Sequence, residues 1–326
     1  LEMLFLEKEK LSINIKHVGK KEFSVYTTNA FNHLFNEKIK ISKINSHKHK
    51  VKIVAEITTN HFGDMDRLKA IILNCKYSGA DYVKLQKRNV ETFYSQEKLN
   101  QSYNSPHGST FRDYRNGLEL NIKQFKWLDN FCKKIGMKWF ISVLDLESYQ
   151  FIKQFEPEMI KLPSTISEHK SFLKLVAKEF KKDIVISTGY TDKDYEKFIL
   201  NTFINQRKIF LLQCTSSYPT KMEDCQVGTV RHYYNLSKIN NKIVPGYSSH
   251  DIGDIGSMLS VAAGAKMVEK HVKLGTVNWS HFDEVALDLT TDEFSNFVKS
   301  IRKAELIVGE ESKNIKKSEH HKYWIS

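Results

Sequence analysis

From Val51 onward, short apolar runs alternate with longer segments whose apolar residues recur every three or four positions. KIVAEI (52–57) is the first run. In MDRLKAIILNCKYSG, which follows, Met65, Leu68, Ile71, Ile72 and Cys75 share one helical face, and Gly79 stops the helix. DYVKLQ (81–86) is the second run, and a long polar loop (88–120) comes after it. NIKQFKWLDNFCKKIG then places Ile122, Phe125, Leu128, Cys132 and Ile135 in helical register before Gly136. MKWFISV (137–143) precedes a helix from about residue 146. Further runs are EMIKLPS (158–164), DIVISTG (183–189), KIFLLQCT (208–215), KIVPGYSSH (242–250) and KMVEKHV (266–272), with a helical segment after each. The last helix is expected from Thr290, where Thr290-x-x-Glu293 reads as a capping box.

Strands that alternate with helices predict a parallel sheet. Eight such units in about 250 residues predict an α/β fold of the (β/α)8 TIM-barrel type. An open doubly wound sheet is the runner-up, weakened because no G-x-G-x-x-G follows the first strand. Residues 1–50 break the rhythm. Alternation in LSINIKHV and IKISKIN suggests an N-terminal extension with a β-hairpin, covering the barrel bottom. The expected division is therefore 1–50 extension, 51–310 catalytic barrel and 311–326 tail.

Composition narrows the function. No run of about 18 apolar residues exists to cross a membrane, and the opening residues are too acidic for a signal peptide. Cys75, Cys132, Cys214 and Cys225 are dispersed and form no C-x-x-C pair, which points to a reducing, cytoplasmic setting. The net charge of +12 would suit nucleic acid, but only seven of the 50 basic residues are Arg. A solvated Lys-rich surface explains the charge, and no nucleic-acid partner is expected.

The chemistry gathers where the runs end, the face on which such barrels carry active sites. Glu56, Asn60 and His61 follow the first strand; Lys84 and Gln86 lie on the second, and Ser142 on the third. Lys161 and Ser164, Ser187 and Thr188, and Thr215, Ser216 and Tyr218 end the next three. Ser248 and His250 end the seventh, Glu269 and His271 the eighth. One Ser at a strand end is normally a cap; polar groups at all eight ends, with Lys on two strands, suggest a site for an anion. Lys161, Ser164, Ser187, Thr188 and Ser248 suit a phosphate cradle, although the lysines could instead pair with Glu56 and Glu269 in a structural network. His250 and His271 end adjacent strands and could share a metal, or stand hydrogen-bonded without one. The remaining loop and tail histidines (107, 169, 232, 281, 320, 321) are expected at the surface.

These same stretches carry a resemblance. AEITTNHFGDMDRLKAIILNCKYSGADYVKLQ is similar to the opening of the sialic acid synthase family, and IKLPS, ISTGY, LQCTSSYP, GYSSHD and EKHV resemble its later motifs in the same order, over residues 51–308. The resemblance implies condensation of phosphoenolpyruvate with an N-acyl amino sugar aldehyde, giving a nine-carbon 2-keto-3-deoxy acid and phosphate. It implies His250 and His271 as ligands of a divalent metal, Mn2+ or Mg2+. It implies Lys84, Lys161, Ser164, Ser187 and Ser248 as phosphoenolpyruvate contacts, Glu56, Gln86, Tyr218 and Glu269 as residues lining the condensation site, and Glu56 as the group handling water. A homodimer is an open option for the assembly.

The chain also departs from the family pattern. Val143-Leu144 stands where the family has Thr-Pro, and Ser249 where it has Asp. The change at Ser216 is mild. A family Asp after the eighth strand has no clean counterpart; Asp283 or Glu284 could stand in. The family's small C-terminal antifreeze-like domain, which supplies an Arg to the sugar, is expected to be absent. Arg112 and Arg115 of the 88–120 loop are the expected substitutes. A barrel that has lost its chemistry and serves binding or assembly is the alternative.

Overall fold

The computed structural model describes residues 51–277, 279 and 284–320. The hairpin expected in residues 1–50 lies outside them. The strands are β1 (Lys52–Thr58), β2 (Tyr82–Lys87), β3 (Ser102–Ser105), β4 (Gly108–Thr110), β5 (Lys138–Val143), β6 (Met159–Leu162), β7 (Asp183–Ser187), β8 (Lys208–Gln213), β9 (Ile243–Ser249), β10 (Met267–Lys273) and β11 (Leu287–Asp288). All the expected strands pair in parallel in the order β1-β2-β5-β6-β7-β8-β9-β10, and β1 also pairs with β10. The sheet is closed: the chain is a (β/α)8 barrel. The short β11 pairs in parallel with the end of β10.

Helices return the chain between strands: α1 (Met65–Ser78), α2 (Val90–Phe93), α3 (Gln96–Leu99), α4 (Phe111–Gly117), α5 (Ile122–Ile135), α6 (Leu146–Lys153), α7 (Lys170–Glu179), α8 (Lys193–Thr202), α9 (Gly228–Ile239), α10 (Ile255–Ala262) and α11 (Glu293–Val308). Local chemistry sets their ends. Asp64 accepts from the Asp66 and Arg67 amides at the start of α1, and Gly79, at φ 96°, provides the left-handed turn that ends it. Among the described residues, no helix is long and apolar enough to cross a membrane.

Side chains alternate across each strand, and this divides the core in two. Outward residues such as Ile53, Ala55, Val83, Leu85, Ile141 and Ile184 pack with Leu68, Ile72, Phe125 and Leu173 of the helices. Inward residues Val54, Phe140, Met159, Val185, Phe210, Leu212 and Met267 plug the barrel. Gly246 lies against this plug; a Cβ there would sit 2.2 Å from Leu212 Cδ2. Removing a plug side chain, as in Phe140→Ala, costs about 3–5 kcal/mol.

Two expectations need correction. The 88–120 segment is not a plain loop. Asn89, Ser95 and Thr110 cap α2, α3 and α4, Thr110 and Asp113 form a reciprocal capping box, and β3 and β4 make a hairpin. Short polar turns hid these elements because their apolar residues face one small cluster, Val90, Leu99, Phe111, Tyr114 and Leu118, rather than the main core. The Thr290-x-x-Glu293 capping box does not form. Asp288 accepts from the Thr290 hydroxyl, and Glu293 accepts from the Asp288 amide, so helix α11 begins only at Glu293.

Candidate active site

The inward positions just above the apolar plug are polar on almost every strand. In register these are Glu56 opposite Lys84 and His271, Ser142 opposite Lys161, and Glu269 opposite Ser248. Their parity explains the placement. Each lies two residues beyond a plug residue or its register partner, so the strand that buries an apolar side chain below presents a polar one above.

Charge is concentrated and paired. The Lys84 ammonium meets Glu56 in an ion pair, donates to Ser142 Oγ at 2.8 Å and lies 3.6 Å from Glu269. The Lys161 ammonium pairs with Glu269 Oε1, which also accepts from Ser248 Oγ at 3.1 Å. Both lysines and both glutamates are at most 3% exposed. The network pairing of the lysines therefore exists. Burial opposes the Glu269 charge, but Lys161 and Lys84 outweigh it and hold its pKa down to about 2, so it is a carboxylate throughout the physiological range. Burial drives the Lys84 pKa well below its usual value, against the pull of Glu269.

The two histidines stand together, with ring centroids 5.4 Å apart, and the Tyr218 ring covers His250 at 4.1 Å. Burial lowers the His250 pKa to about 4, and drives that of His271 well below its usual value, with His250 adding to the effect. Both are therefore neutral near pH 7. His250 Nδ1 lies 2.7 Å from the Thr215 carbonyl, so it carries the proton and leaves Nε2 with a free lone pair. His271 Nδ1 is buried without a hydrogen bond, as are Ser187 Oγ and Glu269 Oε2. Among the described residues no cluster of three or more acidic, His or Cys groups surrounds a metal position. Even so, two neutral imidazoles, one with an orphaned buried nitrogen, fit a divalent ion completed by substrate or water oxygens. Lys84, Lys161, Glu56 and Glu269 cancel in formal charge, so such an ion would give the mouth its net attraction for anions.

Beside the lysines lies a hydroxyl-lined recess. Ser164 Oγ accepts from the Gly189 amide at 2.9 Å and lies 3.2 Å from Cys214 Sγ. A Cβ at Gly189 would fall 2.4 Å from Ser216 Oγ, 2.6 Å from Cys214 Sγ and 2.8 Å from Ser164 Oγ, so only glycine fits this wall. Thr188 does not join the expected cradle. It follows Ser187, so alternation turns it away, and its hydroxyl donates to Leu212 and accepts from Tyr233. Cys214 was not singled out from sequence, although its parity with Leu212 places it on the inner face.

Gln86 is half-buried on the face of Lys84. Glu284 is exposed, and Asp283 lies outside the described residues. Arg112 does not face the mouth group: it pairs with Glu91 and donates to Gln96 and Asn100 in exposed contacts within the inserted segment. Arg115 is buried there. His169, His232 and His320 are exposed as expected, whereas His107 is half-buried against Trp279. Of the departures from the family pattern, Ser216 lines the recess, while those at Val143, Leu144 and Ser249 lie off the inner face. Val143 and Leu144 belong to the outer core, and Ser249 points outward to Asp251 and Lys270.

Comparison with known proteins places the chain among relatives. Residues 71–313 match the family model described as the NeuB family. The chain is 32% identical over 272 residues to an N-acetylneuraminate-9-phosphate synthase of Mus musculus, covering 82% of this chain and 74% of that one. It is 28% identical over 289 residues to a pseudaminic acid synthase of Campylobacter jejuni, covering 83% and 78%. In fold it is similar to the N-acetylneuraminic acid synthetase of Leptospira borgpetersenii, with a TM-score of 0.71 at 22% identity over 82% of this chain and 88% of that one.

Proposed function

The chain belongs to the NeuB family of sialic-acid-synthase-like enzymes, and from that premise we propose that it joins phosphoenolpyruvate to an open-chain N-acyl amino sugar aldehyde, releasing phosphate and a nine-carbon 2-keto-3-deoxy acid. The observation that carries this reading is the buried Lys84–Glu56 and Lys161–Glu269 network beside the neutral His250–His271 pair. Two lysines at one mouth suit a substrate with both a carboxylate and a phosphate. Ser164, Ser187, Ser248 and the Gly189 amide offer the neutral donors of a phosphate cradle, Ser187 with its hydroxyl unused.

His250 and His271 would hold a divalent ion, Mn2+ or Mg2+. When bound, such an ion supplies Lewis-acid polarisation of a carbonyl oxygen. The remaining work falls to the chain's own groups. Tyr218, over His250, and Gln86 would orient the sugar. The C2=C3 electron pair of phosphoenolpyruvate forms the new bond from C3 to the aldehyde carbon, the aldehyde C=O π bond opens to an alkoxide that takes a proton from solvent and becomes a hydroxyl, and positive charge is left at C2. Glu269, held as a carboxylate by Lys161 and Lys84, would stabilise that charge. Water then adds at C2 and gives up one proton; the C2–O bond to phosphate breaks, the new hydroxyl becomes the keto oxygen, and its proton leaves with the phosphate. Glu56, held by the Thr58 amide at 2.9 Å, is the candidate to take the water's proton.

A lapsed barrel is not favoured, because the changes at Val143, Leu144 and Ser249 leave the inner face untouched. A cytoplasmic setting is in keeping with four buried free thiols. The test is phosphate release from phosphoenolpyruvate against a panel of N-acyl hexosamines, with Mn2+ and with excess chelator. Release that needs both sugar and metal is expected. Release without sugar, or none with any acceptor, would refute the reading.

A further inference from the structure

Within the hydroxyl-lined recess, Ser164 is held from two sides. Its Oγ accepts from the Gly189 amide at 2.9 Å and lies 3.2 Å from Cys214 Sγ. Cys214 is 4% exposed and stands two residues beyond the plug residue Leu212, on the inner face of the barrel. Burial pushes its thiol up from the ordinary value, so it keeps its proton at neutral pH. The bond between the two side chains can run either way, and its direction decides what Ser164 presents. A serine hydroxyl has one proton and two lone pairs, whereas a thiol is a weak donor and a weak acceptor. If the thiol donates, Gly189 and Cys214 fill both lone pairs of Ser164, and the hydroxyl proton is left for whatever enters the recess. If Ser164 donates to sulfur, only a lone pair faces the recess, and that repels an anion. The recess is built for an acceptor. Ser187 Oγ, 2% exposed and two residues before Gly189 on the inner face of β7, is buried without a hydrogen bond. Lys161 lies close enough to act on the thiol through its charge.

We propose that Cys214 is a positioning residue for phosphoenolpyruvate: its thiol donates to Ser164 Oγ and so fixes the Ser164 hydroxyl as a donor to the phosphate. This rests on the condensation reading above. A phosphate dianion offers acceptors only, so its arrival selects the arrangement in which the hydroxyls of the recess all donate. Sulfur suits this wall better than oxygen. A hydroxyl in its place would accept strongly and draw the Ser164 proton toward the wall, whereas a thiol accepts weakly and leaves that proton to the ligand. Sulfur also fills the space left by Gly189, where a Cβ would fall 2.6 Å from Sγ. Cys214 thus acts through Ser164 and need not touch the substrate.

The experiment is a double-variant cycle on the full chain with Mn2+, comparing Cys214→Ala, Ser164→Ala and the two together with the unaltered protein. Phosphoenolpyruvate binding is read by calorimetry, and its KM by phosphate release. Cys214→Ala is expected to weaken binding and raise that KM about five-fold, the scale of one hydrogen bond, while kcat and the KM for the sugar stay within about two-fold. In the Ser164→Ala background the same change should have no further effect, because the hydroxyl it orients is gone. A thiol that only packs the wall predicts the same loss in both backgrounds. Cys214→Ser, checked by thermal melting, keeps the test valid if the alanine variant fails to fold. Its hydroxyl should also weaken phosphoenolpyruvate binding, again only while Ser164 is present. Unchanged affinity in both Cys214 variants, an equal loss with and without Ser164, or a rise confined to the sugar KM overturns the proposal. Binding of phosphoenolpyruvate that follows the cycle, without release from any acceptor, would sink the condensation reading and uphold the role of Cys214. No binding by the unaltered protein would overturn both.

Discussion

Lys161 on β6 reaches across the barrel lumen to Glu269 on β10, four strands away in either direction around the closed sheet, and pairs with the same oxygen that accepts from Ser248. A contact across the lumen ties opposite walls together, and it sets a cation and an anion where a substrate must pass. The pair is therefore structural and functional at once.

Lys161→Ala leaves Glu269 with only the more distant Lys84. Removing one partner of a buried pair costs about 3–5 kcal/mol, and the remaining lysine puts the expected loss at the lower end. Denaturant unfolding should show that loss. In steady-state assays the KM for phosphoenolpyruvate should rise more than that for the sugar. The double variant Lys161→Met with Glu269→Leu, which removes both charges, should recover most of the stability and none of the activity. A sugar KM raised alone would contradict the assignment of Lys161 to phosphoenolpyruvate.

Much of the barrel was legible because its signal is periodic. Ile53, Ala55 and Ile57 against Val54 and Glu56 show the two faces of β1 directly, and Gly79 and Gly136 mark helix ends by backbone need. The inner-face residues Lys84, Lys161, Glu269 and His271 could be read from their position in an apolar run. What could not be read depends on contacts between distant segments. Pairing of the lysines with Glu56 and Glu269 stood open beside a free phosphate cradle, and only the register decides that Lys84 meets Glu56; the cluster of Phe111 and Tyr114 is set by folding of an insertion onto itself. Arg112 and Arg115 look alike in sequence, three residues apart on one short helix, yet one is paired in exposed contacts and the other buried with donors unused.

His61 gives a pH prediction. Burial, aided by Arg67, lowers its pKa from 6.5 to about 3. Because the folded value is depressed, the unfolded chain binds the proton first. The stability contributed by a neutral His61 is thus complete above pH 6.5 and is lost as pH falls toward 3. The full effect is about 5 kcal/mol at most. Replacing His61 by Asn should flatten the acid limb of a stability–pH curve; an unchanged limb would show that His61 is not the group responsible.

Metal retention should depend on His250 and His271 separately. Either His→Ala variant should lower retained Mn2+ after dialysis and reduce phosphate release by about 10-fold or more, the usual scale for loss of a metal-site group. Since the lysines and glutamates cancel in charge, binding of phosphoenolpyruvate itself should weaken in chelator. Unaltered binding there would mean that the lysines alone attract the substrate.

The outward side of β9 offers the last test. Ser249 Oγ donates to Asp251 Oδ1 at 2.7 Å, Tyr247 donates to the same oxygen at 3.0 Å, and the fully buried Lys270 donates to Ser249 Oγ at 2.8 Å. Asp251 thus provides the carboxylate on this face, two residues beyond the position where the family pattern has Asp. Ser249→Asp would place a second carboxylate beside Asp251 with Lys270 as the cation between them. Two like charges in a buried site are unfavourable, so the single variant should lose about 1–3 kcal/mol. Adding Asp251→Ser removes the repulsion and returns one carboxylate to pair with Lys270. The two changes should therefore couple, with the double variant about 0.5–3 kcal/mol more stable than the sum of the singles. Because His250 lies between the two positions, the single variant should also weaken metal retention and the double variant restore it. Additive losses would show that the network tolerates either residue independently and does not position His250.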